Sequence, residues 1–167
     1  MEIKSSFFGE QSIDPSTIIN FPNGIPGFEN QTRFKLFHQE GDNPLIFWLQ
    51  SLDDESLVFS VAQPSIFNIT YSFVLNDTEE ATLGIEDPAD ILILIILHKG
   101  ESDQPTIKGV IQSLKTRALS LLGATSDQPA IKGAIRSPLV INSAKRIGLQ
   151  KVLTQMDQSI TLTEASQ

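Results

Sequence analysis

The stretch Leu45–Pro64, LIFWLQSLDDESLVFSVAQP, constrains the fold more than any other part of the chain. Two apolar runs, Leu45–Leu49 and Leu57–Ala62, flank a polar segment, Gln50–Ser56. Both runs are short, rich in aromatic and β-branched residues, and free of Gly and Pro, which is how strands read. Asp53, Asp54 and Glu55 solvate well and bond readily to nearby backbone amides, so the segment between the runs predicts a turn. The stretch is a β-hairpin, with Trp48 and Phe59 as its large buried side chains. Its acidic tip is either the wet end that any hairpin needs or a docking point for something positively charged.

The same grammar recurs along the chain. Glu2–Phe8 reads as a first strand and Gly9-Glu10-Gln11 as the turn after it. Asp14-Pro15-Ser16-Thr17 predicts a helical turn, with Asp as the cap and Pro at the first helical position. Pro22-Asn23-Gly24-Ile25-Pro26-Gly27-Phe28-Glu29 excludes regular structure and predicts a rigid loop with Ile25 and Phe28 as apolar pegs. That loop either plugs one end of a barrel or binds a partner. Arg33–His38 alternates, with Phe34, Leu36 and His38 on one side and Arg33, Lys35 and Phe37 on the other. Phe67–Leu75 predicts another strand, and Asp77–Leu83 a short helix that Asp87-Pro88 separates from the next strand.

Ile91–Leu97 (ILILIIL) is seven residues long, against roughly 20 for a bilayer span. It predicts a strand buried on both faces. Ser102–Ser113 (SDQPTIKGVIQS) then repeats as Ser126–Ser137 (SDQPAIKGAIRS). Two copies are too few for a solenoid, so the repeat reads as a tandem duplication that lengthened one loop, with a helix over Val110–Ala124. Pro138–Asn142 and Ile147–Leu153 predict two more strands about a basic turn at Lys145-Arg146. The polar end, Thr154–Gln167, has Ile160 and Leu162 as material for an edge strand. Eight or more short strands with Pro/Gly/Asp turns between them predict an all-β barrel or sandwich. The expected organisation is a single barrel domain over 1–155, with 101–125 as a duplicated helical insertion, and a polar tail over 156–167.

Charge and composition narrow the function. With 40% hydrophobic residues, the 167-residue chain has enough apolar material for one core. It has no cysteine, which removes thiolate nucleophiles and thiolate metal sites and suits a reducing cytoplasm. MEIKSSFFGEQ has no apolar core of the kind a secretion signal carries. Net charge is −8, and it is uneven: residues 1–98 hold three bases against fifteen acids, and residues 99–167 nine bases against five acids. An acidic protein repels nucleic acid and attracts basic proteins. His38 and His98 lack the spacing of a metal or general-base motif. The adjacent carboxylates Asp53/Asp54 and Glu86/Asp87 point apart in extended chain, so a shared proton is not expected. No catalytic residue, cofactor site or metal site is predicted, though a hollow ligand-binding barrel stays open as an alternative.

Four motifs occur in order: Asn23-Gly24-Ile25-Pro26-Gly27-Phe28-Glu29, Phe47-Trp48-Leu49-Gln50-Ser51-Leu52-Asp53-Asp54, Leu83-Gly84-Ile85-Glu86-Asp87-Pro88 and Ser137-Pro138-Leu139-Val140-Ile141-Asn142. Together they resemble the flagellar assembly factor FliW family over residues 2 to 153. The resemblance implies a small cytoplasmic β-barrel without enzymatic activity or cofactors. It implies two partners: flagellin, bound before export, and CsrA, a small basic RNA-binding repressor that the free protein sequesters once flagellin has been secreted. Residue chemistry makes Ile25, Pro26, Phe28 and Glu29 candidates for an apolar helical partner. It makes Asp53, Asp54 and Glu55 candidates for a basic one. Glu101–Thr125 departs from the family pattern as an apparent insertion, and the tail lacks the aromatic-then-His-Pro ending of many members.

Overall fold

The computed structural model describes residues 1–38, 44, 46–67, 69–97, 136–153 and 159–162. Its centre is a closed ring of seven strands: β3 (Ile18–Asn20), β4 (Arg33–His38), β5 (Ile46–Ser51), β6 (Val58–Ala62), β8 (Ile91–Leu97), β9 (Leu139–Asn142) and β10 (Ile147–Gln150). Neighbours are antiparallel except at the seam, where β10 meets β3 in parallel through Ile147 opposite Asn20. An odd number of alternating strands forces one such contact. All-β architecture and the barrel are thus as the sequence predicts.

Alternation fills the ring. Ile19, Phe34, Leu49, Val61, Leu94, Ile96, Leu139 and Ile141 are buried in one core cluster, with Phe47, Phe59 and Leu92 packed against it. The interior is occupied by these side chains, the packed core of a small barrel. Among the described residues, two ribbons and one helix cover the outside. β1 (Glu2–Ser5) pairs with β2 (Gly9–Ser12) and lies over β5. Phe7 and Phe8, at its turn, pack on Trp48 with ring centroids 6.4 and 5.9 Å away. β7 (Ile69–Ser72) pairs with β11 (Ser159–Leu162), the edge strand that Ile160 and Leu162 allow. On the outer face of β8, Ile95 and Leu97 pack against Ile69 and Tyr71. The run ILILIIL is therefore buried on both faces only over Leu94–Ile96; Ile91, Leu92, Ile93 and Leu97 are half-buried, so the expectation holds for part of the strand.

Helix α1 (Asp77–Leu83) occupies the span expected of it. Asn76 and Glu79 form a reciprocal capping box, and Gly84 closes the helix in the left-handed conformation at φ 57°. The helix lies along β10 and is tied down at both ends. Asn142 Nδ2 donates to the Leu83 carbonyl at 2.9 Å, and Lys151 Nζ pairs with Glu79 Oε2 at 2.7 Å.

Three sequence expectations are corrected. Gly9-Glu10-Gln11 is not a turn but most of β2. The turn is Ser6–Phe8, held by Ser5 Oγ, which accepts from the Phe7 and Phe8 amides at 3.1 and 3.0 Å. Phe67–Leu75 is not one strand: Pro64–Phe67 is a 3-10 turn and only Ile69–Ser72 is extended. Gln50 and Ser51 belong to β5 and are fully buried, so the hairpin tip is shorter than composition suggests. Of the two large side chains expected to be buried, Trp48 is, outward under the first ribbon, whereas Phe59 is half-buried and faces inward against the core. The duplicated segment up to residue 135, with the 101–125 insertion, and His98 lie outside the described residues.

Candidate functional site

Strand direction decides which loops can cooperate. β3, β5, β8 and β10 run one way and β4, β6 and β9 the other. The β3–β4 loop (residues 21–32) and the β5–β6 tip (52–57) therefore emerge at the same end of the barrel. Leu97 and Leu139, between which the duplicated segment is strung, lie at that end too. Both groups of sequence-predicted site residues are thereby brought together.

The loop has an inner and an outer side. Ile25 is buried in the core cluster beside Phe21 and plugs the barrel mouth. Gly24 has φ 66°, and a β carbon there would meet the Glu29 backbone at 2.5 Å, so only glycine fits this tight return. Pro26 and Glu29 are exposed. The Glu29 carboxylate accepts from the Gly27 amide at 3.0 Å, and that bond lowers its pKa. Phe28 is 38% exposed and stands edge-on to Phe59 at 5.1 Å. The loop therefore both plugs the barrel, through Ile25, and offers an aromatic face outward, through Phe28.

The acidic tip is built from beneath by a residue that composition marks only as polar. Gln50 Nε2 donates to the carbonyls of Ser51, Asp54, Glu55 and Leu57 at 2.8 to 3.4 Å. Its Oε1 accepts from Ser5 Oγ. Ser51 Oγ accepts from the Asp53 and Asp54 amides, both at 3.1 Å. The three acids then differ. Asp53 accepts from the Thr32 and Arg33 amides at 3.0 and 3.1 Å and from Arg33 Nε and Nη2 at 3.0 and 2.7 Å. Partial burial pushes its carboxyl up, but the Arg33 side-chain bond, the two amides and the guanidinium charge together outweigh that and hold the pKa below the usual 3.8. Asp54 accepts from Ser56 Oγ and the Ser56 amide, which lower its pKa. Glu55 is exposed, and among the described residues its carboxylate has no partner.

A shallow groove of about 200 Å³ adjoins the loop, bounded by Pro26 and Glu29, by Thr78, Glu79 and Thr82 of α1, and by Leu149 and Gln150 of β10. Among the described residues no cluster of His, Asp and Glu could hold a metal. No described helix is long and apolar enough to cross a membrane. Arg33, Gln50 and Ser51 are the residues that sequence reasoning missed. The alternation of β5 carries a signal for Gln50, because it shares an outward face with Trp48, and a ribbon bearing Phe7 and Phe8 is available to cover that face.

Comparison with known proteins agrees with this architecture. A family model described as FliW protein matches residues 2–112. The chain is 37% identical over 165 residues to the flagellar assembly factor FliW of Azoarcus sp. (strain BH72), covering 98% of this chain and 99% of that one. It is 34% identical over 161 residues to the corresponding factor of Chromobacterium violaceum, covering 94% and 96%. A crystal structure of the flagellar assembly factor FliW superposes with a TM-score of 0.64 at 25% identity, over 97% of this chain and 96% of that one. Sequence match along nearly the whole length and the shared barrel make this chain a member of the FliW family of flagellar assembly factors.

Proposed function

We propose that the chain is a cytoplasmic binding protein without catalytic activity, which holds flagellin before export and antagonises CsrA when flagellin is gone. The observation that supports this best is the juxtaposition at one barrel end of an exposed aromatic ring, Phe28, and two acids with no ion-pair partner among the described residues, the half-buried Asp54 and the exposed Glu55. Phe28, flanked by Pro26 and Glu29, suits the apolar face of a helical segment; Ile25, a sequence candidate for the same contact, is 2% exposed and serves it only by anchoring the loop in the core. Of the three acids at the tip, Asp53 is taken up by Arg33; Asp54 and Glu55, on a chain of net charge −8, suit a basic RNA-binding protein and oppose the phosphates with which it would otherwise pair. A barrel whose interior is packed with Phe34, Leu49, Val61 and Leu94 argues against the alternative of a ligand carried inside.

The test is titration of the purified protein with CsrA and with flagellin. The double reversal D54K/E55K weakens CsrA binding, most at low salt, and spares flagellin; F28A weakens flagellin binding. Binding of neither protein refutes the proposal, and unchanged CsrA affinity for D54K/E55K at low salt refutes the charge assignment.

A further inference from the structure

Asp53 differs from its acidic neighbours in where its bonds go. Four donors converge on its carboxylate, two backbone amides and two guanidinium nitrogens, and all belong to Thr32 and Arg33 at the start of β4. None comes from its own turn. Beside it the Leu52 amide donates to the Arg33 carbonyl at 2.8 Å, so tip and loop are joined by backbone and side chain together. The fixation extends back towards Phe28. The Thr32 carbonyl accepts from the Phe21 amide at 2.8 Å, the Gln31 amide donates to the Phe28 carbonyl at 3.0 Å, and the Phe28 amide donates to Ile25. At the other end of this path the Phe28 ring rests on Phe59, a residue of the strand that leaves the tip.

We infer that Asp53 is a positioning residue: it fastens the loop carrying Phe28 to the acidic tip, so that the ring and the charges of Asp54 and Glu55 are presented as one rigid surface. Its own charge is matched by Arg33 in a forked, charge-assisted pair, and it therefore adds little to the attraction of a basic partner. Asp54 and Glu55 carry that attraction. The inference rests on the reading that this end of the barrel meets flagellin and CsrA, but its first measurement does not depend on either partner.

Amide hydrogen exchange is compared in the wild type, D53A, D53N and D54N/E55Q, alongside flagellin affinity and the salt dependence of CsrA affinity. In D53A, exchange between Phe28 and Arg33 speeds up by about tenfold, the equivalent of one lost charge-assisted bond, while core amides such as Val61 and Leu94 are unchanged. D53N falls between, because its amide oxygen keeps one of the two acceptors. Flagellin affinity falls in the same order, and the salt dependence of CsrA binding is retained in D53N but flattened in D54N/E55Q. Three results overturn the inference: unaltered exchange at Phe28–Arg33 in D53A, acceleration spread evenly through the core, or a CsrA salt dependence flattened by D53N as much as by D54N/E55Q. A wild type that binds neither protein refutes the functional reading, and the exchange data alone then decide whether Asp53 fastens the loop.

Discussion

Adding one carbon at Gly148 tests the closure of the barrel. Gly148 lies in β10, one residue beyond the single bridge that joins β10 to β3. A β carbon built there stands 2.6 Å from Phe21 Cζ, 2.8 Å from Cε1 and 3.1 Å from Cε2, where carbons in contact prefer about 3.5–4.0 Å. The ring has nowhere to go: Phe21 is fully buried, edge-on to Phe34 at 5.3 Å, in the same cluster as Ile25. Gly148 is not among the glycines with positive φ, so alanine meets no backbone strain and the cost is steric alone. Overpacking of this kind costs roughly 1–3 kcal/mol. Restricting the unfolded chain returns about 0.4–1 kcal/mol. G148A therefore loses about 1–2 kcal/mol, or roughly 2–8 °C in Tm for a chain of this size. Urea unfolding measures it as a lower midpoint at unchanged slope. In an F21L background the extra carbon has room, and the cost of G148A should shrink by about 1 kcal/mol or more, a coupling that independent sites would not show. A G148A protein as stable as the wild type, or a cost carried undiminished into F21L, refutes the packing argument for the seam.

Two further perturbations probe the outer layer and the tip. Lys151 is only 5% exposed, with Nζ 2.7 Å from Glu79 and 5.8 Å from the Phe73 ring centroid. E79A strands that ammonium and removes half of the capping box, costing about 3–4 kcal/mol, whereas K151M keeps the buried stem and costs about 1 kcal/mol; equal losses in urea would contradict this. In acid, the depressed pKa of Asp53 means that the unfolded chain takes up a proton first. Its stabilisation is complete above the ordinary carboxylate value of 3.8 and is lost as pH falls below it towards the folded-state value. D53N should flatten the acid limb of a stability profile taken from about pH 6 to 2, and an unchanged limb would count against the Arg33–Asp53 pair.

The fold was largely legible because its signals are local. Arg33–His38 is a strand and Asp77–Leu83 a helix, both to the residue, since alternation in one and the Asn76, Glu79 and Gly84 caps of the other act within a few positions. Gly9-Glu10-Gln11, which reads as a turn but lies in β2, misleads for the opposite reason. Gly, Glu, Gln and Ser have little strand preference, and this segment is extended because β1 pairs with it and its turn aromatics pack on Trp48, some 40 residues away. Gln50 was misplaced in the same way: a polar residue beside acids reads as turn until the ribbon that buries it is known.

The site was legible as composition but not as roles. Asp53, Asp54 and Glu55 are three consecutive acids, and nothing within the run separates them. What separates them is strand register. Phe34 pairs with Ser51, so the Arg33 backbone falls opposite Leu52 and its side chain reaches Asp53. A slip of one residue would move that pairing and turn every side chain of β4 to the other face. Register is fixed by burying Phe34 and Leu49 on one side and Trp48 on the other. The choice of which carboxylate is bound across to the neighbouring strand and which are left without a cation is thus made by the packing of aromatic and aliphatic side chains in the barrel wall. Charge along a sequence becomes a surface only after that packing has decided how each carboxylate is used.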